Sequence, residues 1–256
     1  MRRILLTVAY DGTNYCGFQI QKNGNTIAGE LNRHLSELLG EKIHVIGASR
    51  TDAGVHALGN RAVFDTETRM KADRIAFAMN TRLPEDIRVL SSEEVPLSFH
   101  PRFQETIKTY EYRICNRTFP DPTTRLYTLH YHWKLDEKKM QQAADHLVGT
   151  HDFASLCTHK PDVTDHVRTI YELKVTRAGD EVTIRITGNG FLYNMVRIIT
   201  GTLLRIGQGL MEPDDMKEIL EAKDRARAAE TARPEGLTLV EIRYPEWERV
   251  NPVKSS

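Results

Sequence analysis

The sequence has little cysteine: Cys16, Cys115 and Cys157 are the three among 256 residues. An odd, scattered set argues against a disulfide framework and is typical of a reducing compartment. No apolar stretch approaches the length of a membrane-spanning helix. The apolar run after the two N-terminal arginines is also too short for a signal peptide. These absences predict a cytoplasmic protein.

The sequence also lacks an excess of charge of either sign, with 35 basic and 35 acidic residues. A balanced chain gives no general sign of nucleic-acid binding, although a basic patch can be local. The content of 40% hydrophobic and 27% charged residues is typical of a globular protein. The length is enough for one large domain or for two halves.

The first part of the sequence predicts the order β-α-β-β-α-β. The four strand-like segments are RILLTVAY, IHVIGAS, NRAVFDT and DIRVLSSEEV, and the two helix-like ones are TIAGELNRHLSELLG and KADRIAFAMNTRL. Thr26 is a predicted N-cap of the first helix, and Gly40 is its predicted end. This order is that of a ferredoxin-like unit.

A loosely similar order recurs in the second part. Its predicted elements are the strand TIKTYEYRICN, the helix DEKKMQQAADHLVGT, the hairpin RTIYELKVTRAGDEVTIRITGN, the helices FLYNMVRIITGTLLRIG and EPDDMKEILEAKD, and the strand GLTLVEIRY. We therefore predict an α+β fold of two ferredoxin-like (RRM-like) halves. A mixed, mainly antiparallel central sheet would carry the helices, with an active-site cleft between the halves. The predicted boundaries are 1–105, 106–248 and a tail at 249–256.

The segment RTDAGVHA, residues 50–57, places one acid, Asp52, in a polar loop between two predicted strands. In a structural turn, Asp52 would bond to nearby backbone, Gly54 would adopt a positive φ, and Arg50 would pair with Asp52. The loop is long for a hairpin, however, and His56 extends its polar cluster. The residues alone leave both a structural turn and a functional site open.

A longer stretch around this loop, ASRTDAGVHALGN, resembles the catalytic motif of the tRNA pseudouridine synthase A family. Further similar segments follow the family order along nearly the whole chain, namely YDGTNYCGFQIQ, FHPRFQETIKTYEYRI, GNGFLYNMVRIITGTLL and EGLTLVEIRYP. Ser49 stands where the family usually has glycine, and Phe18 where it has tryptophan. Pro101 and Gly190 replace alanine. None of these changes removes a charged position.

The resemblance implies the pseudouridine synthase fold and the isomerisation of uridine to pseudouridine in tRNA. The implied targets are positions 38, 39 and 40 of the anticodon stem-loop. This reaction breaks the bond between N1 and C1′ and rejoins the base through C5, so that atoms are conserved. No cofactor and no metal is therefore expected. The resemblance also implies a homodimer with tRNA as its partner.

The resemblance makes Asp52 the catalytic residue, as a nucleophile or as a base. Arg197 becomes its supporting cation, and Tyr110 the ring that stacks on the flipped target base. From the residues alone, Arg197 fits equally well an arginine that extends to solvent. Tyr110, with Tyr112 on the same side of a strand, also fits cross-strand packing.

Three further candidates for substrate binding are Arg50, His100 and Arg102. Arg50 is a candidate because it lies in the loop of residues 50–57, two positions before Asp52. His100 and Arg102 belong to the segment FHPRF, which matches a family motif. All three are assigned to contacts with the phosphates, ribose or backbone of the RNA substrate.

Other functions fit the sequence less well. The pairs His130-x-His132 and Cys157-x-His159 match no closed zinc pattern, so no metal site is predicted. A non-enzymatic RNA-binding module of the RRM type would carry the RNP1 pattern, which does not occur. A hydrolytic glycosidase needs a second carboxylate at a set separation, and no second motif here supplies one.

Overall fold

The computed structural model describes residues 1–22, 24–161 and 163–250. The chain divides into two compact units, one formed by Met1–Thr106 with the chain from Thr238 onward, the other by Ile107–Leu237. Each unit combines helices with mainly antiparallel strands, which confirms the predicted α+β class. Among the described helices, none is long and apolar enough to cross a membrane.

The elements are, in chain order, β1 (Arg2–Tyr10), α1 (Ile27–Leu39), β2 (Ile46–Gly47), β3 (His56–Thr66), α2 (Ala72–Asn80), β4 (Ile87–Val95), β5 (Ile107–Cys115), β6 (Leu129–His130), α3 (Glu137–Asp145), β7 (Gly149–Asp152), β8 (Val167–Ala178), β9 (Glu181–Gly188), α4 (Met195–Gly207), α5 (Asp215–Ala222), β10 (Leu237–Arg243) and α6 (Pro245–Val250). The predicted order β-α-β-β-α-β of the first part is confirmed. The helix predicted over DEKKMQQAADHLVGT is too long by one turn, because Gly149 begins the strand β7.

In the first unit, β1 lies between β3 and β4 and is antiparallel to both. β2 pairs with β3 in antiparallel fashion and β10 pairs with it in parallel. Helix α1 buries Ile27, Leu31 and Leu35 completely, because residues four apart lie on one face of a helix. Thr26 caps this helix by accepting a hydrogen bond from the N–H of Gly29 at 3.2 Å.

In the second unit, the antiparallel strands follow the order β5-β9-β8-β7, and the short β6 runs parallel to β5. Helix α4 is buried on almost every side, as its continuous apolar run predicts. Its two residues that are not buried are Arg197 and Arg205. Arg197 lies in the first turn of this helix.

The last strand, β10, belongs from Thr238 onward to the first unit, although it follows the whole second unit in the sequence. The domain boundaries expected from the sequence, 1–105 and 106–248, stay a proposal. From residue 251 the predicted tail lies outside the described residues.

Candidate active site

The loop between β2 and β3 presents Asp52 on a defined bend. The N–H of Val55 donates to the carbonyl oxygen of Asp52 at 3.2 Å, and Gly54 has a φ of 76°. Asp52 is half-buried, whereas Ser49 and Thr51 are buried. The positive φ of Gly54 that is expected of a structural turn is thus present, together with a backbone turn at Asp52.

The side-chain amide of Asn60, on β3, holds this loop by hydrogen bonds to the backbone of Ser49. Its Nδ2 donates to the carbonyl oxygen of Ser49 at 3.0 Å, and its Oδ1 accepts from the N–H of Ser49 at 3.2 Å. Nδ2 also donates to the hydroxyl of Tyr10 at 3.0 Å. That hydroxyl in turn lies 2.7 Å from the hydroxyl of Thr51. A buried and satisfied polar network of this kind rigidifies the chain around it.

The segment after β1 covers the loop through close backbone contacts. The N–H of Phe18 donates to the carbonyl oxygen of Thr51 at 3.0 Å. A Cβ at Gly17, where φ is 88°, would lie 2.6 Å from that same oxygen. A Cβ at Gly12 would lie 2.0 Å from the carbonyl oxygen of Val55. Only glycine allows such an approach, which explains why YDGTNYCGFQIQ accompanies the acidic loop.

His56, the first residue of β3, fastens the other end of the loop. It is buried, and its Nδ1 accepts from the N–H of Gly12 at 3.1 Å. The same nitrogen lies 3.1 Å from a carboxylate oxygen of Asp11. His56, a member of the predicted polar cluster, therefore anchors the loop to the segment after β1.

Arg50 and Arg102 line the same open pocket of about 150 Å³. Both side chains are exposed. The rest of the lining includes Phe18, Ile20, Ala28, Val45 and Gly47. Two guanidinium groups at one opening favour the binding of phosphate or carboxylate groups. The structure thus brings two of the predicted substrate-binding residues together.

His100 forms a stacked aromatic pair with Phe103. The ring centroids are 4.0 Å apart and the planes differ by 15°. Burial lowers the pKa of His100, and the nearby charges of Arg102 and Arg3 lower it further, so the neutral imidazole is favoured. Phe103 is 82% exposed. It was not among the residues predicted from the sequence. The sequence signal that could have indicated Phe103 as a nucleic-acid-binding residue is its place next to the basic Arg102 in FHPRF.

Tyr110 lies on β5 in the second unit and is 7% exposed. Its ring meets that of Phe191 edge to face, with centroids 5.2 Å apart. Tyr112, two residues further along the strand, is fully buried, and its hydroxyl donates to the carbonyl oxygen of Arg233 at 2.6 Å. Burial raises the pKa of Tyr112 well above its usual range. Both tyrosine rings are therefore buried in the core, Tyr112 more completely than Tyr110.

Arg197 is held firmly at the start of α4. Its Nε donates to the carbonyl oxygen of Ala232 at 2.7 Å, and its Nη1 donates to Oδ1 of Asn194 at 3.1 Å. Asn194 precedes the helix with a left-handed φ of 59°. The half-buried guanidinium is therefore positioned by these two acceptors, which differs from an arginine that simply extends to solvent.

The six candidate residues divide between the two units. Asp52, Arg50, His100 and Arg102 belong to the first unit, and Tyr110 and Arg197 belong to the second. The main residue that sequence reasoning missed is Asn60, whose only signal is its place shortly after the acidic loop.

These features define a class of protein: an α+β protein in which one acid is presented on a tightly held loop. A model of the family described as "tRNA pseudouridine synthase" matches residues 6–104 and 143–245. The chain belongs to this family. It is an isomerase that acts on uridine in tRNA.

Relatives that carry the name "tRNA pseudouridine synthase A" are similar over nearly their whole length. The protein from Brevibacillus brevis is 47% identical over 244 residues, which covers 95% of this chain and 100% of the relative. One from Thermoanaerobacter sp. is 44% identical with the same coverage. One from Exiguobacterium sp. is 47% identical, and the match covers 95% of this chain and 98% of that relative.

Proposed function

We propose that this enzyme isomerises uridine to pseudouridine at positions 38, 39 and 40 of the tRNA anticodon stem-loop, with Asp52 as its catalytic residue. The observation that carries the proposal is the set of hydrogen bonds that holds Ser49 and Thr51, two buried residues that precede Asp52 in the loop by three positions and by one. A reaction that depends on one acid requires that acid to be held within a fraction of an ångström.

Asp52 acts on the sugar or the base of the target nucleotide, by attack or by proton abstraction. The base is detached during the reaction, so the site has to exclude water until C5 has replaced N1. This need separates the enzyme from a hydrolytic glycosidase, which must leave room for a water molecule beside a second carboxylate. A single acid in a loop closed by backbone contacts suits the isomerase.

The target uridine has to leave the base stack before it can reach the acid, at a cost of a few kcal/mol. We assign Tyr110 to stack on the flipped base, which offsets roughly 1–3 kcal/mol of that cost. Arg197 supports Asp52 by favouring its ionised form. The two acceptors that fix the guanidinium, Ala232 and Asn194, support this positioning role.

Binding of tRNA involves Arg50, Arg102 and His100 on the first unit. The exposed guanidinium groups of the shared pocket are suited to phosphate, so affinity should fall as the salt concentration rises. The resemblance further supports a homodimer, and the tRNA substrate supports a cytoplasmic location. Sedimentation equilibrium of the full chain with and without tRNA tests the dimer.

The test of the catalytic assignment is tritium release from C5-labelled uridine in tRNA. Wild-type protein should release the label, whereas Asp52→Asn should release none while it still retards tRNA on a native gel. The matched control is Asp73→Asn, the same chemical change on the exposed side of α2. The control should release tritium at the wild-type rate.

Residual turnover in Asp52→Asn above that of a protein-free sample would contradict the role of Asp52. Substrates with single uridines at position 38, 39 or 40 test the target separately. If tritium is released from bulk tRNA but from none of these three substrates, the target uridine lies at another position. That result would leave the assignment of Asp52 unchanged.

A further inference from the structure

The loop that joins β7 to β8 gathers three side chains of the kind that bind zinc. The thiol sulfur of Cys157 and one ring nitrogen each of His159 and His166 lie within 4.8 Å of one another. In a tetrahedral site with bonds of about 2.0–2.3 Å, such ligand atoms are about 3.3–3.6 Å apart. Small side-chain rotations would therefore bring these atoms to coordination distance.

The backbone already places the three residues on the two limbs of one closed loop. The N–H of Phe153 donates to the carbonyl oxygen of His166 at 3.0 Å, and this hydrogen bond closes the base of the loop. A short 3-10 turn, Ala154–Leu156, leads directly to Cys157. His166 immediately precedes β8. The pair Cys157-x-His159 thus gains a third partner that sequence spacing did not reveal.

The orientation of the histidines fits a metal site. The rings of His159 and His166 have centroids 5.0 Å apart. Nε2 of His159 lies 2.9 Å from the carbonyl oxygen of Ala154. A histidine that binds zinc commonly donates its second N–H to a backbone carbonyl, which fixes the ring and its tautomer. His159 has such an acceptor, and because its side chain is exposed it also gives an ion a path inward.

With no ion bound, the surroundings of Cys157 favour the protonated thiol. Cys157 is 1% exposed. Burial raises its pKa, and the carboxylate of Asp152 raises it further, against the smaller opposing effects of Arg168 and Arg225. A bound divalent cation reverses this situation, because it displaces the thiol proton and binds the thiolate. The carboxylate of Asp152 lies near the same place and is paired with Nζ of Lys223 at 2.9 Å.

We propose that Cys157, His159 and His166 bind one Zn²⁺ ion, with water in the fourth position. A thiolate with two imidazoles is a ligand set suited to zinc. Binding exchanges the thiol proton for the ion and ties the two limbs of the loop together.

The metal would also stiffen a neighbouring contact. Between the ligands Cys157 and His159 lies Thr158, whose hydroxyl accepts from Nδ2 of Asn194 at 3.1 Å. The N–H of Thr158 donates to the carbonyl oxygen of Tyr193 at 2.9 Å. The loop therefore braces the residue that positions the guanidinium of Arg197.

The experiment measures zinc in untagged protein by mass spectrometry after dialysis against zinc and then against metal-free buffer. Wild type should retain about one zinc per chain, and Cys157→Ser and His166→Ala should lose it. Cys115→Ser is the matched control, since Cys115 is also buried but lies outside the cluster. This control should retain zinc at the wild-type level.

Cobalt gives a second readout that identifies the sulfur. Co²⁺ bound to wild type should show a thiolate-to-cobalt charge-transfer band in the near ultraviolet, which Cys157→Ser should lack. His159→Asn, at an exposed position, tests the site without disturbing the core. The proposal is overturned if wild type retains no zinc and shows no such band, or if His159→Asn and Cys157→Ser bind zinc as wild type does.

Discussion

Replacement of Asn60 by alanine tests whether the loop around Asp52 depends on one buried amide. The side chain makes two hydrogen bonds with the backbone of Ser49 and one with the hydroxyl of Tyr10. Each bond contributes about 1 kcal/mol net, and a buried partner left unsatisfied costs about 1–3 kcal/mol. We expect Asn60→Ala to lower the free energy of unfolding by about 3–5 kcal/mol.

The same change should slow catalysis, because the backbone of Ser49 loses both of its hydrogen bonds to the side chain of Asn60 on β3. A displacement of about 1 Å at a catalytic group can cost roughly 100-fold in rate. We expect kcat for tritium release to fall about 10–100-fold with a similar KM for tRNA, since the loss affects the transition state. Urea unfolding measures the stability, and hydrogen exchange at the Ser49 amide measures the loop itself.

A control with similar chemistry separates stability from catalysis. Asn80 also uses its amide to hold a backbone, with bonds of 2.8 and 2.9 Å to the carbonyl and N–H of Val89. Asn80→Ala should lose about 1–3 kcal/mol of stability and keep the wild-type rate below its melting temperature. The reasoning is refuted if Asn60→Ala unfolds at the same urea concentration as wild type, or if it turns over as fast as Asn80→Ala.

Three further changes test other parts of the structure. Tyr10→Phe removes the hydroxyl that contacts Thr51 and Asn60 and should lower the unfolding free energy by about 1–2 kcal/mol; an unchanged urea midpoint would contradict this. Gly17→Ala should destabilise far more than Gly40→Ala in thermal unfolding, because its Cβ would meet Thr51 whereas that of Gly40 meets nothing within 4 Å. The hydrogen bond from Arg3 lowers the pKa of Asp65, so the stabilisation by Asp65 is complete above about pH 4 and is lost as the pH falls through the lower folded-state value. The difference in urea midpoint between wild type and Asp65→Asn should therefore shrink below about pH 4, and a constant difference would contradict the ion pair.

The elements that could be predicted from the sequence are those with a clear period and a local end signal. Helix α1 has both, since its apolar residues recur on one face between the cap at Thr26 and the left-handed Gly40. The strands β6 and β7 have only two and four residues, too few to show a period. Their existence depends on pairing with β5 and β8, which is a tertiary effect.

The site was predictable where a motif is continuous and not where distant residues meet. Asp52 lies in a continuous string of the family motif. Asn60 and Tyr10 are separated by 50 positions, and nothing local in either segment reveals their hydrogen bond. His166 was missed for the same reason, since loop closure and not spacing brings it to Cys157.

Ser49, which stands where the family motif usually has glycine, is compatible with the observed path of the loop. The described residues other than glycine with a positive φ are Asn194 and Lys223, so Ser49 has a backbone conformation open to any residue. Its N–H and carbonyl oxygen are both held by Asn60, contacts that a glycine would make equally well. Serine loses less backbone entropy than glycine on folding, a difference of roughly 0.5–1 kcal/mol. Asn60 therefore holds the backbone at position 49 whichever residue stands there, and serine at this position stabilises the folded chain relative to glycine.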